Sequence, residues 1–162
     1  MSEHATLKRQ VYGTDSHVHL LHALEGVTAE QAGTVPDGAA HSIYQVVMHM
    51  AYWQDIGVAR VQGLPAPSPE HAAEGWTAPV APESEEAWSE AVEGVAAGLW
   101  EFDAMLEDDD TDLDRVVEPE GRRTVRDNLL MVLCHNSYHL GEIVTLRRQL
   151  RAWPPPRGGA SW

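Results

Sequence analysis

Leu129-Leu130-Met131-Val132-Leu133-Cys134-His135-Asn136-Ser137-Tyr138-His139-Leu140-Gly141-Glu142-Ile143-Val144-Thr145-Leu146 is the stretch on which the fold turns. Its apolar residues recur at steps of three and four, the spacing of one face of an α-helix. The stripe runs through Leu129 and Val132, is interrupted at His135, His139 and Glu142, and resumes at Leu146. Two imidazoles and a carboxylate thus stand where core residues belong. Burying such groups is costly unless they are paired or ligated.

The helix that carries this stripe is predicted to start near Thr124 and to continue through Ile143 to Leu150, where Trp153-Pro154-Pro155-Pro156 stops it. A second helix opens at Ser42, a good N-cap, and shows Ile43, Val46, Met50, Trp53 and Ile56 at helical spacing. Gly63, Pro65, Pro67 and Pro69 end it. His49 lies between Val46 and Trp53 on its inward stripe, repeating the pattern of the last helix.

Two more helices complete the reading. One is marked by Trp88, Ala91, Val95, Leu99, Phe102 and Leu106. The other is predicted from Asp15 to Glu25, with Asp15 as cap, Val18, Leu21 and Leu24 as its apolar face, and Gly26 as its stop. There is room before it for a shorter helix interrupted at Gly13. A long connection runs from Gly63 past Pro79 and Pro82; connections of that length are often functional or hold a short helix of their own. No strand alternation is visible, and the even spacing of Trp76, Trp88 and Trp100 is not matched by their surroundings, so no repeat is read. The fold class expected is all-α, a four-helix bundle with a long crossover connection. Residues 1–152 form one domain in this reading, and residues 153–162 a Pro/Gly-rich tail that is extended or mobile.

Composition narrows the function. The 162 residues carry a net charge of -14, which opposes nucleic-acid binding because a phosphate backbone is met by Lys and Arg. Apolar runs fall short of the roughly 18 residues that a membrane span needs, and the N-terminus has no basic-then-apolar signal, so a cytoplasmic protein is expected. The single cysteine, Cys134, excludes an internal disulfide framework. Adjacent helical residues point about 100° apart, so Cys134 is expected to be a small buried hydrophobe and not a co-ligand of His135. Glu107-Asp108-Asp109-Asp110 lacks the alternating oxygens and glycine turn of a calcium loop and reads as a solvated edge.

An i, i+4 histidine pair places two rings on one helix face. Nine histidines produce roughly half of one such pair by chance, so placement matters more than count. His135, His139 and His49 all replace core residues on helices that can face each other, as in bundles whose cores hold metal sites. Two readings are open: a divalent metal site, or core histidines hydrogen-bonded to one another, to Glu142 or to Tyr138. Glu142 has three open roles, as a fourth ligand, as a partner orienting an imidazole, or as a base for bound water, beside the plainer one of a surface carboxylate near Leu146 and Arg147. His17, His19 and His22 have no matching partner elsewhere and are expected at a rim or in solvent; His41 and His71 are expected in loops.

The stretch from Ser42-Ile43-Tyr44 through His49-Met50-Ala51-Tyr52-Trp53-Gln54 to Gly63, with His135-Asn136-Ser137-Tyr138-His139-Leu140-Gly141-Glu142-Ile143, resembles the DinB-like superfamily. That family is named for DNA-damage-inducible bacterial proteins and includes the YfiT-type metal-dependent hydrolases. The likeness spans about Gly13 to Leu150 and is specific in the second and fourth helices. It implies a four-helix bundle of DinB/YfiT type, a homodimer, and a divalent metal held by three histidines. Carried over by position, the ligands are His49, His135 and His139. Related proteins include transferases and isomerases that use low-molecular-weight thiols such as bacillithiol or mycothiol. This chain departs at Glu142, where the family often has Gln.

The function expected is that of a metal-dependent enzyme. Zn or Ni heads the candidates, with Fe and Mn also acceptable to imidazole ligands. Three neutral histidines leave a position for water or a low-molecular-weight thiol, which would attack a small-molecule substrate in hydrolysis or thiol transfer. Glu142 and Tyr138 are the candidates to move or orient a proton. The alternative is a non-catalytic stress-response bundle with a structural metal or none. A closed structural site would normally add a fourth ligand, often Cys, which Cys134 is poorly aimed to supply.

Overall fold

Ser42 opens the element that organises the fold. Its Oγ accepts from the backbone N–H of Gln45 at 3.1 Å, while Gln45 Oε1 accepts from the N–H of Ser42 at 3.2 Å. This reciprocal capping box satisfies two of the donors that every helix start leaves over. In the computed structural model, which describes residues 2–13, 16–118 and 122–159, the helix so begun is the fourth of six. They are α1 (Glu3–Tyr12), α2 (Leu20–Leu24), α3 (Ala29–Gly33), α4 (Ile43–Val61), α5 (Glu85–Glu107) and α6 (Val125–Gln149). Ser84 caps α5, and Thr124 with Asp127 forms a second capping box on α6.

The three long helices pack on one another because each buries an apolar stripe. Ile43, Val46, Val47 and Met50 of α4, Val95, Leu99 and Phe102 of α5, and Leu129, Val132 and Ile143 of α6 are buried in one core. Gly57 lets α4 approach closely. A Cβ there would fall 2.7 Å from Val132 Cγ2 and 3.1 Å from Phe102 Cζ, while Asn128 Nδ2 donates to the Gly57 carbonyl at 2.9 Å. With Gly57 against Asn128 and Val132, and His49 against His135 and His139, α4 and α6 run antiparallel. Residues eight apart on a helix lie about 12 Å apart along its axis, so the two contacts fix one register.

The predicted helices over 42–63, 88–106 and from 124 onward are present, and the crossover carries a 3-10 turn at Ala72–Gly75. Arg60, buried at the end of α4, anchors that crossover: its Nε donates to the Ala66 carbonyl at 3.1 Å and its Nη2 to Ser68 Oγ at 2.8 Å. Its Nη1 pairs with Glu118 at 2.9 Å.

The N-terminal expectation needs correction. No helix runs from 15 to 25: His17, Val18 and His19 precede the helix, and only Leu20–Leu24 is helical. His19 Nδ1 itself accepts from the N–H of Leu21 at 3.1 Å and caps the turn. Asp15, the expected cap, lies outside the described residues. The longer helix is α1, which buries Leu7 and Val11 and packs on α5. A short sheet also exists, Val116–Glu118 paired antiparallel with Arg123–Thr124. Cys134 is exposed, contrary to expectation, because it shares the outer face of α6 with Leu130, Tyr138 and Gly141. The described part of the tail folds back: Arg157 pairs with Glu25 at 2.8 Å and Pro155 is buried. Among the described residues no helix is long and apolar enough to cross a membrane.

Candidate metal centre

Near the N-terminal half of α4 the apolar stripe admits His49, 5% exposed; on α6 it admits His135 and His139, the latter also 5% exposed. Facing helices bring the three rings together, with centroids 4.9 Å apart for His49 and His135, 4.8 Å for His49 and His139, and 4.5 Å for His135 and His139. One candidate ligand atom from each lies within 4.8 Å of the others.

Outer contacts set which nitrogen each ring offers. The Gly75 carbonyl lies 2.9 Å from His49 Nδ1, so Nδ1 carries the proton and Nε2 offers a lone pair. Glu142 Oε2 lies 3.0 Å from His139 Nδ1 and fixes that ring in the same way. Carbonyl and carboxylate partners of this kind commonly hold metal-ligating imidazoles. His135 Nε2 stands 3.1 Å from His49 Nε2, while His135 Nδ1 is buried without a hydrogen-bond partner. Two nitrogens bound at ~2.0–2.1 Å to a tetrahedral ion would be about 3.3 Å apart, close to the spacing found.

Electrostatics points the same way. Burial pushes His135 down to about 4, with the neighbouring charges of His139 and His49 adding to it. Burial also lowers His49, against the pull of the Gly75 carbonyl. Both rings are therefore neutral near pH 7, the form that coordinates metal. The donor set of three imidazole nitrogens fits a divalent metal ion.

The crossover roofs the cluster. The Trp76 ring lies between His49 and His41, stacked on each at a centroid distance of 3.8 Å and an interplanar angle of 11°. Gly75 sits so close to His49 that a Cβ on it would fall 2.9 Å from His49 Nδ1 and 3.3 Å from Trp53 Nε1. Beside this roof opens a cavity of about 630 Å³, lined by the Gly38–His41 loop, Trp76 and the α6 face carrying Tyr138, His139, Glu142 and Gln149.

Glu142 thus lies between two imidazoles, with Oε2 on His139 and Oε1 3.8 Å from His41 Nδ1. Arg147, its expected surface neighbour, turns instead to the carbonyls of Ala23 and Ala152. Tyr138 is 74% exposed, packs edge-on to His139 and borders the cavity. His17 is held elsewhere, with Nε2 2.9 Å from Ser137 Oγ, and His19 stacks between Tyr12 and His22. His71 is an exposed residue of the crossover. Sequence reading missed Gly75, Trp76 and the place of His41. A tryptophan after a glycine in a proline-rich crossover was the available signal.

A model of the DinB superfamily matches residues 15–143, which take in α2 through the histidines of α6. The chain belongs to the DinB superfamily. No curated protein and no solved structure matches it significantly. Within this DinB chain the matched region holds all three clustered histidines and Glu142, while α1 precedes it.

Proposed function

We propose that this DinB-superfamily protein is a metal-dependent enzyme acting on a small molecule, with a divalent ion, Zn or Ni foremost, held by His49, His135 and His139. The supporting observation is the convergence of three imidazoles, His49 and His139 buried and His135 half-buried, two of which have their outer nitrogen already held by a carbonyl or a carboxylate. Helices α1, α4, α5 and α6 are read as the four-helix bundle of the family, closed by the crossover. Once bound, such an ion would lower the pKa of a water or thiol at its open position and so support hydrolysis or thiol transfer.

The chain's own residues divide the remaining work. Glu142 Oε2 orients His139, and its Oε1, turned toward His41, is placed to accept a proton from a nucleophile. The Tyr138 hydroxyl, at the edge of the cavity, can orient a substrate oxygen. Trp76 covers His49 and restricts water on that side.

Elemental analysis of untagged protein purified without added metal tests this reading. About one ion per chain is expected, lost in His49→Ala; a content near zero that His49→Ala leaves unchanged overturns it. A metal-free reading has one observation in its favour, since 3.1 Å between His135 Nε2 and His49 Nε2 also suits a hydrogen bond. It requires that Zn and Ni leave the melting temperature untouched.

A further inference from the structure

The cavity beside the histidines is long and narrow. Its α6 wall runs from Tyr138 through Glu142 and Thr145 to Gln149, a span of about 16 Å at the helical rise per residue. The facing wall is the chain that leads into α4. His41 Nδ1 stands 3.8 Å from Glu142 Oε1, and the residues before it, back to Gly38, border the same space. A volume of about 630 Å³ spread over that length leaves a cross-section of about 40 Å². One extended chain in stacked sheets occupies about 4.8 by 10 Å, so the groove has room for a single chain along its axis and not for two abreast.

Its chemistry divides along that axis. His41, His139, Glu142 and the Tyr138 hydroxyl gather at one end. Past Glu142 the described lining is Gly38, Ala39, Ala40, Thr145, Leu146 and Gln149, with no ionisable side chain. Free donors are few in that stretch. Thr145 Oγ1 donates to the Gly141 carbonyl at 2.8 Å, and the Ala39 N–H donates to the Pro36 carbonyl at 3.0 Å. A chain of amides laid there would give up water with few partners to replace it, whereas methylenes gain by leaving water.

We propose that this groove takes an unbranched aliphatic chain, an acyl or alkyl substituent on the reacting group, with its polar head at His139 and Glu142 and its tail along the last two turns of α6 as far as Gln149. From Glu142 to Gln149 is about 10 Å of helix axis, the length of about nine extended chain atoms. The head is placed by the reading of this end as the metal-bearing one. The tail rests on the shape and lining of the groove alone.

Straight-chain hydroxamic acids of about two to fourteen carbons vary the tail while the head, a ligand for divalent ions, stays fixed. Calorimetric titration is run on chelator-treated protein and on protein supplied with Zn. In both, affinity is expected to rise about twofold per carbon, the gain of a half-buried methylene, and to level off near about nine carbons. Thr145→Trp, at mid-groove, should end the rise at about four carbons, and Ala40→Trp on the facing wall should shorten it likewise. Both positions are exposed, and circular dichroism verifies that each variant folds. Affinity that ignores chain length, that climbs through the whole series without levelling, or that neither tryptophan alters overturns the proposal, as does binding at no length. Zn reports on the other reading, since it should strengthen every member of the series by one common factor. A chain-length profile intact in both forms with no effect of Zn would sink the metal reading and leave the groove; an effect of Zn without a profile would do the reverse.

Discussion

Glu142 holds His139 from behind: its Oε2 lies 3.0 Å from His139 Nδ1, three residues earlier on the same helix. A carboxylate there fixes the tautomer and raises the basicity of the ring's other nitrogen. Glu142→Ala is therefore expected to weaken Zn binding by about 10–100-fold, and Glu142→Gln by less, because the amide oxygen still accepts the bond. Competition titration against a chromogenic chelator measures both. Equal affinity in wild type and Glu142→Ala would remove the orienting role.

Gly75 carries a second constraint. A Cβ on it would fall 2.9 Å from His49 Nδ1 and 3.1 Å from Cε1, so alanine forces the ring aside and breaks its bond to the Gly75 carbonyl. Gly75→Ala should cost Zn affinity at least about tenfold. Gly94 is the control. It lies inside α5 with nothing within 4 Å of an added Cβ, so Gly94→Ala should stabilise by about 1 kcal/mol without touching metal binding. A Gly75→Ala protein that binds Zn normally would show that His49 needs no help from the crossover.

How far the sequence could be read follows from where each signal resides. Helix α4 was legible at both ends because Ser42 and Gln45 form a local capping box and Gly63 follows its last turn. His49, His135 and His139 were legible because each breaks an apolar stripe that periodicity defines. Glu3–Tyr12 was legible only as room for a shorter helix ending at Gly13, which does cap it, since only Leu7 and Val11 are buried along it. The start of α2 was missed because a histidine, not one of the usual capping residues, caps it. Strands of three and two residues are too short to show alternation. Trp76 and His41 reach the site through tertiary structure, from loops with no period to read. Cys134 is exposed because the face it lies on is that of its neighbours one turn away, Leu130 and Tyr138, which are exposed, and its angle to His135 carries no signal of that.

Acid should destabilise the metal-free protein through its buried histidines. The unfolded chain takes up protons near the ordinary 6.5, whereas folded His135 resists until about 4, and His49 is lowered as well. Between those values the unfolded state binds more protons, so stability is complete above about 6.5 and falls as pH drops toward 4. For His135, discounted for its partial exposure, the loss is on the order of 2 kcal/mol. Urea unfolding at pH 7.5 and 4.5, compared between wild type and His135→Gln in chelator, isolates this contribution. Parallel pH slopes in the two proteins would contradict it.

Arg147, 2% exposed, ties α2 and the segment after α6 to the last turn of α6. Its Nη1 donates to the Ala23 carbonyl in α2, its Nε and Nη2 donate to the Ala152 carbonyl at 3.0 and 2.6 Å, and the Trp153 ring lies 5.7 Å from its Cζ. Removing the guanidinium leaves two carbonyls without donors, each worth about 1–3 kcal/mol when buried. Arg147→Met should therefore destabilise by about 2–4 kcal/mol by urea unfolding. Arg147→Lys should recover only part, since one ammonium cannot span both carbonyls as the planar fork does. Arg148 also lies over Trp153, at 5.5 Å, but is exposed, and Arg148→Ala should change stability by no more than about 0.5 kcal/mol. Similar losses at 147 and 148 would mean that stacking on Trp153, and not the backbone carbonyls, holds the tail in place.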